Sequence, residues 1–227
     1  MYCRPCRRRH HRAGRVGVPH RPHRLHKMTA MAELSFSVDG AALKLLLLGG
    51  QKSGKSRQAE LLAYQWLQQG TDYTASLIAT GTAYDDEMKA RIARHQTDRA
   101  ARVPQLATVD APRDVAQAIA ALSQPQHLLI VDCLTLWLTN WLMPAEDFEE
   151  KVPSAHNWKA QQALFLGTIE RAPGPVILVS NEIGLGVIPM GREVRAFVDA
   201  LGVLNQQTAA VCNRVTLMAA GLPLHMK

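Results

Sequence analysis

The segment Gly49-Gly50-Gln51-Lys52-Ser53-Gly54-Lys55-Ser56 has the spacing G-x-x-x-x-G-K-[ST], and its residue types suit the binding of a polyphosphate. A chain that turns through glycines into a helix points successive backbone N–H groups inward and adds the positive end of the helix dipole. In such a loop Lys55 reaches the β- and γ-phosphates and the Ser56 hydroxyl binds Mg²⁺. The alternative is an ordinary glycine turn. The apolar run 43–48 before the motif and the helical pattern after it argue for the phosphate site.

A phosphate loop needs a second, metal-organising acid on a neighbouring strand. His127-Leu128-Leu129-Ile130-Val131-Asp132 is an apolar strand ending in a carboxylate, which places Asp132 at the carboxyl edge of the sheet beside that loop. Asp132 could equally cap the next helix, and the two roles can coexist. A further strand, Val176-Ile177-Leu178-Val179, runs into Ser180-Asn181-Glu182, so Asn181 and Glu182 are expected at the ligand crevice. Glu182 could orient or deprotonate an attacking hydroxyl, or it could be a solvated glutamate in a structural turn; spacing does not separate the two. Arg91, His95 and Arg99 fall on successive turns of one helix, with Met88 and Ile92 near the same face. A lone helical histidine is most often a surface or packing residue. Here the flanking arginines could hold a phosphate that a neutral imidazole nitrogen could attack.

These residues need a scaffold that gathers strand ends. Apolar runs at 43–48, 74–79, 127–131, 175–180 and 214–218 alternate with helical stretches, the pattern of a parallel sheet covered on both faces. The intervening pattern predicts a helix over 56–69 closed by Gly70, one over 85–99 with Asp85, Asp86 and Glu87 in its first turn, and one through Leu122 with Pro112 in its first turn. Residues 134–143 read as helical, 144–153 as a polar, acidic loop, and Trp158, Gln162, Phe165, Leu166 and Ile169 as a helical stripe. From Pro189 a long helix should place Val194, Phe197, Val198, Leu201, Leu204, Thr208 and Val211 on one face, with Gly202 as a break. The chain has 227 residues, 47% of them apolar and 20% charged, and shows no internal repeat or linker. The expectation is a tail over 1–30 and a single α/β domain over 31–227.

The sequence pI of about 9.5 suggests a polyanion partner until the charge is located. Residues 1–27 carry eight arginines, one lysine and no acid, +9 in all; the whole chain carries +7, so the other 200 residues sum to −2. That body is no nucleic-acid-binding surface. The tail lacks apolar periodicity and is expected to be disordered; it reads as a basic arm, a targeting segment or an extension upstream of a start at Met28 or Met31, the last being favoured. No segment approaches a membrane span. Cys3 and Cys6 form a C-x-x-C that alone is weak evidence for zinc, while Cys133 and Cys212 sit in apolar contexts as small buried residues. This cysteine usage points to a reducing, cytoplasmic compartment.

Residues 49–57 (GGQKSGKSR), 131–140 (VDCLTLWLTN), 179–189 (VSNEIGLGVIP) and 201–210 (LGVLNQQTAA), with Ile78-Ala79-Thr80 and the stretch from Asp85 to His95, resemble the bifunctional adenosylcobinamide kinase and adenosylcobinamide-phosphate guanylyltransferase family of cobalamin synthesis. The resemblance runs from about Leu43 to the carboxyl terminus. It implies a P-loop NTPase fold of the RecA-like kind. It implies phosphorylation of the aminopropanol hydroxyl of adenosylcobinamide by a nucleoside triphosphate, then transfer of GMP from GTP to that phosphate through a guanylylated histidine, which maps onto His95. Guanine-nucleotide contacts map onto Ala79, Thr80, Gly81, the segment after His95 including Arg99, and Asp110, where the family usually has glutamate. Mg²⁺ as cofactor, GTP and ATP as substrates, and a homotrimer are further implications. The chain departs from the family pattern at 99–106, at Met190-Gly191, and at Val203 and Gln207, where arginines are frequent. The readings that compete are a P-loop kinase of another small molecule with His95 structural, and a nucleotide-gated module whose basic arm engages nucleic acid.

Overall fold

Residues 45–48, 128–131 and 176–179 are buried along their whole length, because a strand covered on both faces has no solvent side to keep polar. In the computed structural model, which describes residues 35–143 and 155–227, the elements run β1 (Ser37–Val38), β2 (Ala41–Ala42), β3 (Lys44–Gly49), α1 (Lys55–Leu67), β4 (Thr74–Ala79), α2 (Asp86–Arg102), β5 (Ala107–Asp110), α3 (Val115–Leu122), β6 (His127–Asp132), α4 (Leu134–Leu142), α5 (Ala155–Arg171), β7 (Val176–Val179), α6 (Arg192–Val211), β8 (Arg214–Ala219) and β9 (Leu222–His225). The tail 1–30 with Cys3 and Cys6, and the whole of the expected acidic loop 144–153, lie outside the described residues.

Seven strands form one sheet in the order β5-β4-β6-β7-β3-β8-β9, parallel except for the antiparallel β8–β9 edge. Strand alternation divides the core. Leu46, Leu48, Leu129, Val131 and Leu178 pack with Trp137, Phe165, Leu201 and Leu204 from α4, α5 and α6. The alternate side chains, such as Leu45, Leu47, Leu128 and Ile130, face the other layer, where α1 contacts β3, β4, β6 and β7 and buries Ala59, Leu62, Ala63 and Trp66. This is the α/β architecture, a mostly parallel sheet covered on both faces, expected from the alternation of strand and helix.

Four local expectations are corrected. Asp132 does not lie on a strand adjacent to that of the phosphate loop: β7 separates β6 from β3. Helix α1 ends at Leu67 with Gln68 as its C-cap, and Gly70 serves a following turn in which its carbonyl accepts Tyr73 N–H. Pro112 precedes α3, which starts at Val115 after Asp114 as N-cap, and its carbonyl accepts Asn140 Nδ2. Gly202 does not interrupt α6. Its cost of about 1 kcal/mol is outweighed by burial of Leu201 and Leu204 on either side. The first turns of α6 also stand off the core, with Val194 exposed.

Candidate active site

The carboxyl ends of β3, β4, β5 and β6 deliver Gly49, Ala79, Asp110 and Asp132 to one edge of the sheet, and Asn181-Glu182 follows β7 there. Gly49 has φ +149, and a Cβ on it would lie 2.4 Å from the Met218 carbonyl oxygen and 2.7 Å from Ser53 Oγ. No other residue fits. Gly54, the N-cap of α1, has φ +102, a left-handed conformation that glycine adopts without steric cost. The loop is braced internally by Ser53 N–H on Gly50 O (3.2 Å) and from the β8–β9 turn by Gly221 N–H on Ser53 O (3.0 Å). Gln51 and Lys52 are exposed at its tip, and the buried Ser53 Oγ has no protein partner.

Lys55 is buried and its Nζ donates to Gly49 O (2.9 Å) and Gly50 O (2.7 Å), so the ammonium lies folded over the loop that Gly50 opens. Burial lowers its pKa, against the opposing pull of Cys133 and Asp132. One residue on, the Ser56 hydroxyl hydrogen-bonds to the half-buried Asp132 carboxylate, although β7 lies between their strands; α1 spans that gap. Burial raises the Asp132 pKa, while the Ser56 hydrogen bond and the neighbouring His95 lower it. Among the described residues no group of three or more His, Cys, Asp or Glu forms a self-contained metal cage. A hydroxyl paired with one carboxylate at the mouth of a phosphate loop is the donor set that suits Mg²⁺, which keeps several waters and takes phosphate oxygens as further ligands.

His95 is exposed on α2 and lines the same cleft, of about 140 Å³, as Ser56 and Asp132. The helix starts with Asp85 as N-cap, its Oδ1 accepting Met88 N–H at 2.6 Å, and Asp86 and Glu87 complement the dipole. Ala79, Gly81, Arg91, Arg99 and Asp110 also line the cleft. Arg99 Nη2 donates to Thr108 Oγ1 at 3.0 Å. Thr80 differs from its neighbours. It is fully buried, and its hydroxyl both donates to Cys133 O and accepts Cys133 N–H, each at 2.8 Å, so its side chain supports the cleft from behind.

Glu182 lies at the other flank of the phosphate loop, where its N–H donates to Gly49 O at 3.0 Å and its Oε1 accepts Gly184 N–H at 2.7 Å. It does not line the cleft that holds His95. Two residues in and behind the cleft wall were given no role by the sequence. Glu60, one turn beyond Ser56 on α1, is a buried carboxylate in the cleft wall, legible only as the i+4 neighbour of Ser56. Asn140, behind the cleft, closes the 131–140 block on which the family resemblance rests, but inside an apolar helical run it was assigned no role.

Residues 45–226 match the family described as cobinamide kinase / cobinamide phosphate guanyltransferase (CobU). The chain is 41% identical over 182 residues to the bifunctional adenosylcobalamin biosynthesis protein CobP of Pseudomonas aeruginosa PAO1, covering 80% of this chain and 96% of the relative. It is 34% identical to CobU of Escherichia coli K12 and 32% to CobU of Salmonella typhimurium LT2, each over 192 residues, 82% of this chain and all of the relative. Among solved structures, the flagellar accessory protein FlaH of Methanocaldococcus jannaschii aligns with 76% of this chain and 69% of its own, at 12% identity and a TM-score of 0.39. On the extent of its sequence match, the chain belongs to the CobU family of cobinamide kinases / cobinamide phosphate guanylyltransferases.

Proposed function

We propose that this chain carries out both reactions of its family in succession: it phosphorylates adenosylcobinamide at the aminopropanol hydroxyl and then transfers GMP from GTP to the new phosphate, giving adenosyl-GDP-cobinamide. The observation that carries the residue assignment is the convergence of Ser56, Asp132 and His95 on one cleft, from α1, β6 and α2.

In the first step the substrate hydroxyl oxygen attacks the γ-phosphorus of ATP or GTP and the nucleoside diphosphate leaves. Such a transfer needs in-line positioning and charge neutralisation more than covalent help. The N–H groups of residues 49–56 and the Lys55 ammonium hold the phosphates, Lys55 exchanging its two loop carbonyls for phosphate oxygens. Ser56 and Asp132 would hold Mg²⁺, which, when bound, offsets the negative charge of the phosphates. Glu182, beside Gly49, orients the hydroxyl or takes its proton.

In the second step a neutral His95 nitrogen attacks the α-phosphorus of GTP, an N–P bond forms and pyrophosphate leaves. The corrinoid phosphate oxygen then attacks that phosphorus and the imidazole departs with its lone pair, so two inversions give net retention. Histidine suits this role because its neutral form is abundant near pH 7. Arg91 and Arg99 offer cations for the phosphates, and Ala79, Gly81 and Asp110 offer base contacts, with Thr80 behind them. A homo-oligomer, a trimer by resemblance, belongs to the same reading and is supported by the exposed apolar run of Leu185, Val187, Ile188 and Met190. So does a cytoplasmic location, supported by the free thiols of Cys133 and Cys212.

The test is incubation with GTP radiolabelled at the α-phosphate. Wild type should yield an acid-labile, base-stable labelled protein, and His95→Ala should lose the label while still phosphorylating adenosylcobinamide with ATP. An unlabelled wild type with intact kinase turnover would sink the guanylyl half.

A further inference from the structure

The Asn140 side chain, 1% exposed on α4, makes three hydrogen bonds to three separate positions behind the cleft. Its Nδ2 donates to Thr80 O and to Pro112 O, both at 2.8 Å, and its Oδ1 accepts the Tyr84 hydroxyl at 2.5 Å. Its backbone carbonyl accepts Arg113 Nε at 3.2 Å. Both amide protons and the amide oxygen are therefore committed. The partners lie on the two loops that leave β4 and β5: Thr80 and Tyr84 flank Gly81 on the first, and Pro112 and Arg113 follow Asp110 on the second. Those loops present Ala79, Gly81 and Asp110 to the cleft.

We propose that Asn140 is a positioning residue for guanine recognition: it fixes the separation of the Ala79–Gly81 backbone from the Asp110 carboxylate, and so decides whether a guanine edge fits between them. The inference rests on the functional reading above. Guanine carries an N1–H and an exocyclic amine that a carboxylate and a backbone carbonyl can accept, whereas adenine offers a lone pair at N1 that a carboxylate repels. Discrimination by such acceptors depends on their spacing, since a buried polar group left unpaired by the wrong base is what rejects it. The hydrogen bonds of the Asn140 amide go to Thr80, Pro112 and Tyr84 and none to the phosphate loop, Ser56 or the Asp132 carboxylate, so on this proposal phosphate binding survives its loss.

The experiment compares equilibrium binding of the α,β-methylene analogues of GTP and ATP, whose bridging carbon blocks attack on the innermost phosphorus, to wild type, Asn140→Asp and Tyr84→Phe. Asn140→Asp sets a carboxylate against two carbonyls and keeps the Tyr84 bond; Tyr84→Phe removes the bond to Asn140 Oδ1 and leaves both amide donations in place. Expected is at least a tenfold rise in Kd for the guanine analogue in Asn140→Asp and about threefold in Tyr84→Phe, with Kd for the adenine analogue within about 1.5-fold of wild type in both. His95 labelling at saturating GTP should keep a rate within threefold of wild type. Equal weakening of both analogues, or unchanged guanine binding, overturns the inference. Should Asn140→Asp fail to fold, the Tyr84→Phe ratio decides by the same criterion. Failure of wild type to label His95 while it binds the guanine analogue counts against the functional reading, and the binding ratio still judges Asn140.

Discussion

Arg102 Nε donates to the buried Glu60 Oε2 across 2.6 Å, joining the last residue of α2 to the second turn of α1. The hydrogen bond to Glu60 raises the Arg102 pKa further, so the cation is permanent. This tie matters because α2 buries none of its residues. Hydrophobic packing, which fixes most helices, contributes little here. The helix that presents His95 is tied to the phosphate-loop helix by this polar bond at its carboxyl end.

Arg102→Met should therefore separate the two reactions. It leaves the Glu60 carboxylate buried without its cation, a loss of about 1–3 kcal/mol given that the Arg102 side chain keeps 40% of its exposure. The thermal midpoint should fall by roughly 2–10 °C. With α2 released, guanylylation of His95 should slow at least tenfold while ATP-dependent phosphorylation changes less than threefold, because α1, which carries Lys55 and Ser56, is held on the sheet by its own buried Ala59, Leu62, Ala63 and Trp66. Parallel losses in the two rates would show that the tie serves the fold alone.

The phosphate loop offers a contrast between adjacent glycines. Gly49→Ala forces a Cβ against the Met218 carbonyl at a φ that side chains avoid, whereas a Cβ on Gly50 meets nothing within 4 Å. Overpacking and backbone strain together predict a loss of about 3 kcal/mol for Gly49→Ala and under about 1 kcal/mol for Gly50→Ala. Urea denaturation of the two variants measures this directly, and equal midpoints would contradict it.

Much of this was legible because the residues that do chemistry in a parallel sheet sit at strand ends, and strands buried on both faces announce themselves as aliphatic runs. The five expected strands correspond to β3, β4, β6, β7 and β8 within a residue or two at their ends. What escaped was marginal in pattern. β5 is four residues, Ala-Thr-Val-Asp, mostly exposed at the sheet edge, and β9 contains Pro223, tolerated because it pairs on one side only. Ser56 and Asp132 were each singled out from motifs, yet their meeting across an intervening strand depends on how α1 crosses the sheet. Asn140 escaped for a different reason. Its role lies in bonds to Thr80 and Pro112, 60 and 28 residues away, which no local periodicity encodes.

The Ser56–Asp132 pair predicts both metal dependence and an acid limb. Removal of divalent cations with EDTA should abolish both reactions and added Mg²⁺ restore them; Asp132→Asn should lower phosphorylation by about a hundredfold or more. Asp132 works as a ligand only when ionised, and burial raises its pKa in the metal-free site, so at limiting Mg²⁺ activity should fall with decreasing pH at a point above the usual carboxylate range. Ser56→Ala removes the hydrogen bond that lowers that pKa, so the limb of its residual activity should move to still higher pH. Full turnover in EDTA, or a limb that moves the other way, would refute the assignment.

At the amino end of β3, far from this chemistry, Lys44 is buried and donates from Nζ to Ala172 O (2.7 Å) and Gly174 O (2.6 Å), just beyond α5. Burial lowers its pKa from 10.5 to about 8. Below pH 8 the lysine is protonated in both the folded and the unfolded chain. As pH rises from 8 toward 10.5 the folded form releases its proton first, so the unfolded state binds more protons and stability rises with pH through that window. The gain is about 3 kcal/mol at one pKa unit per 1.36 kcal/mol. The neutral amine still donates to both carbonyls, so the bonds survive the titration. Lys44→Met loses those bonds and should be less stable throughout, but its unfolding free energy should lack this rise. Urea midpoints at pH 8 and pH 10 for the two proteins provide the measurement. Curves that stay parallel between the two pH values would mean that Lys44 carries its charge unperturbed in the fold.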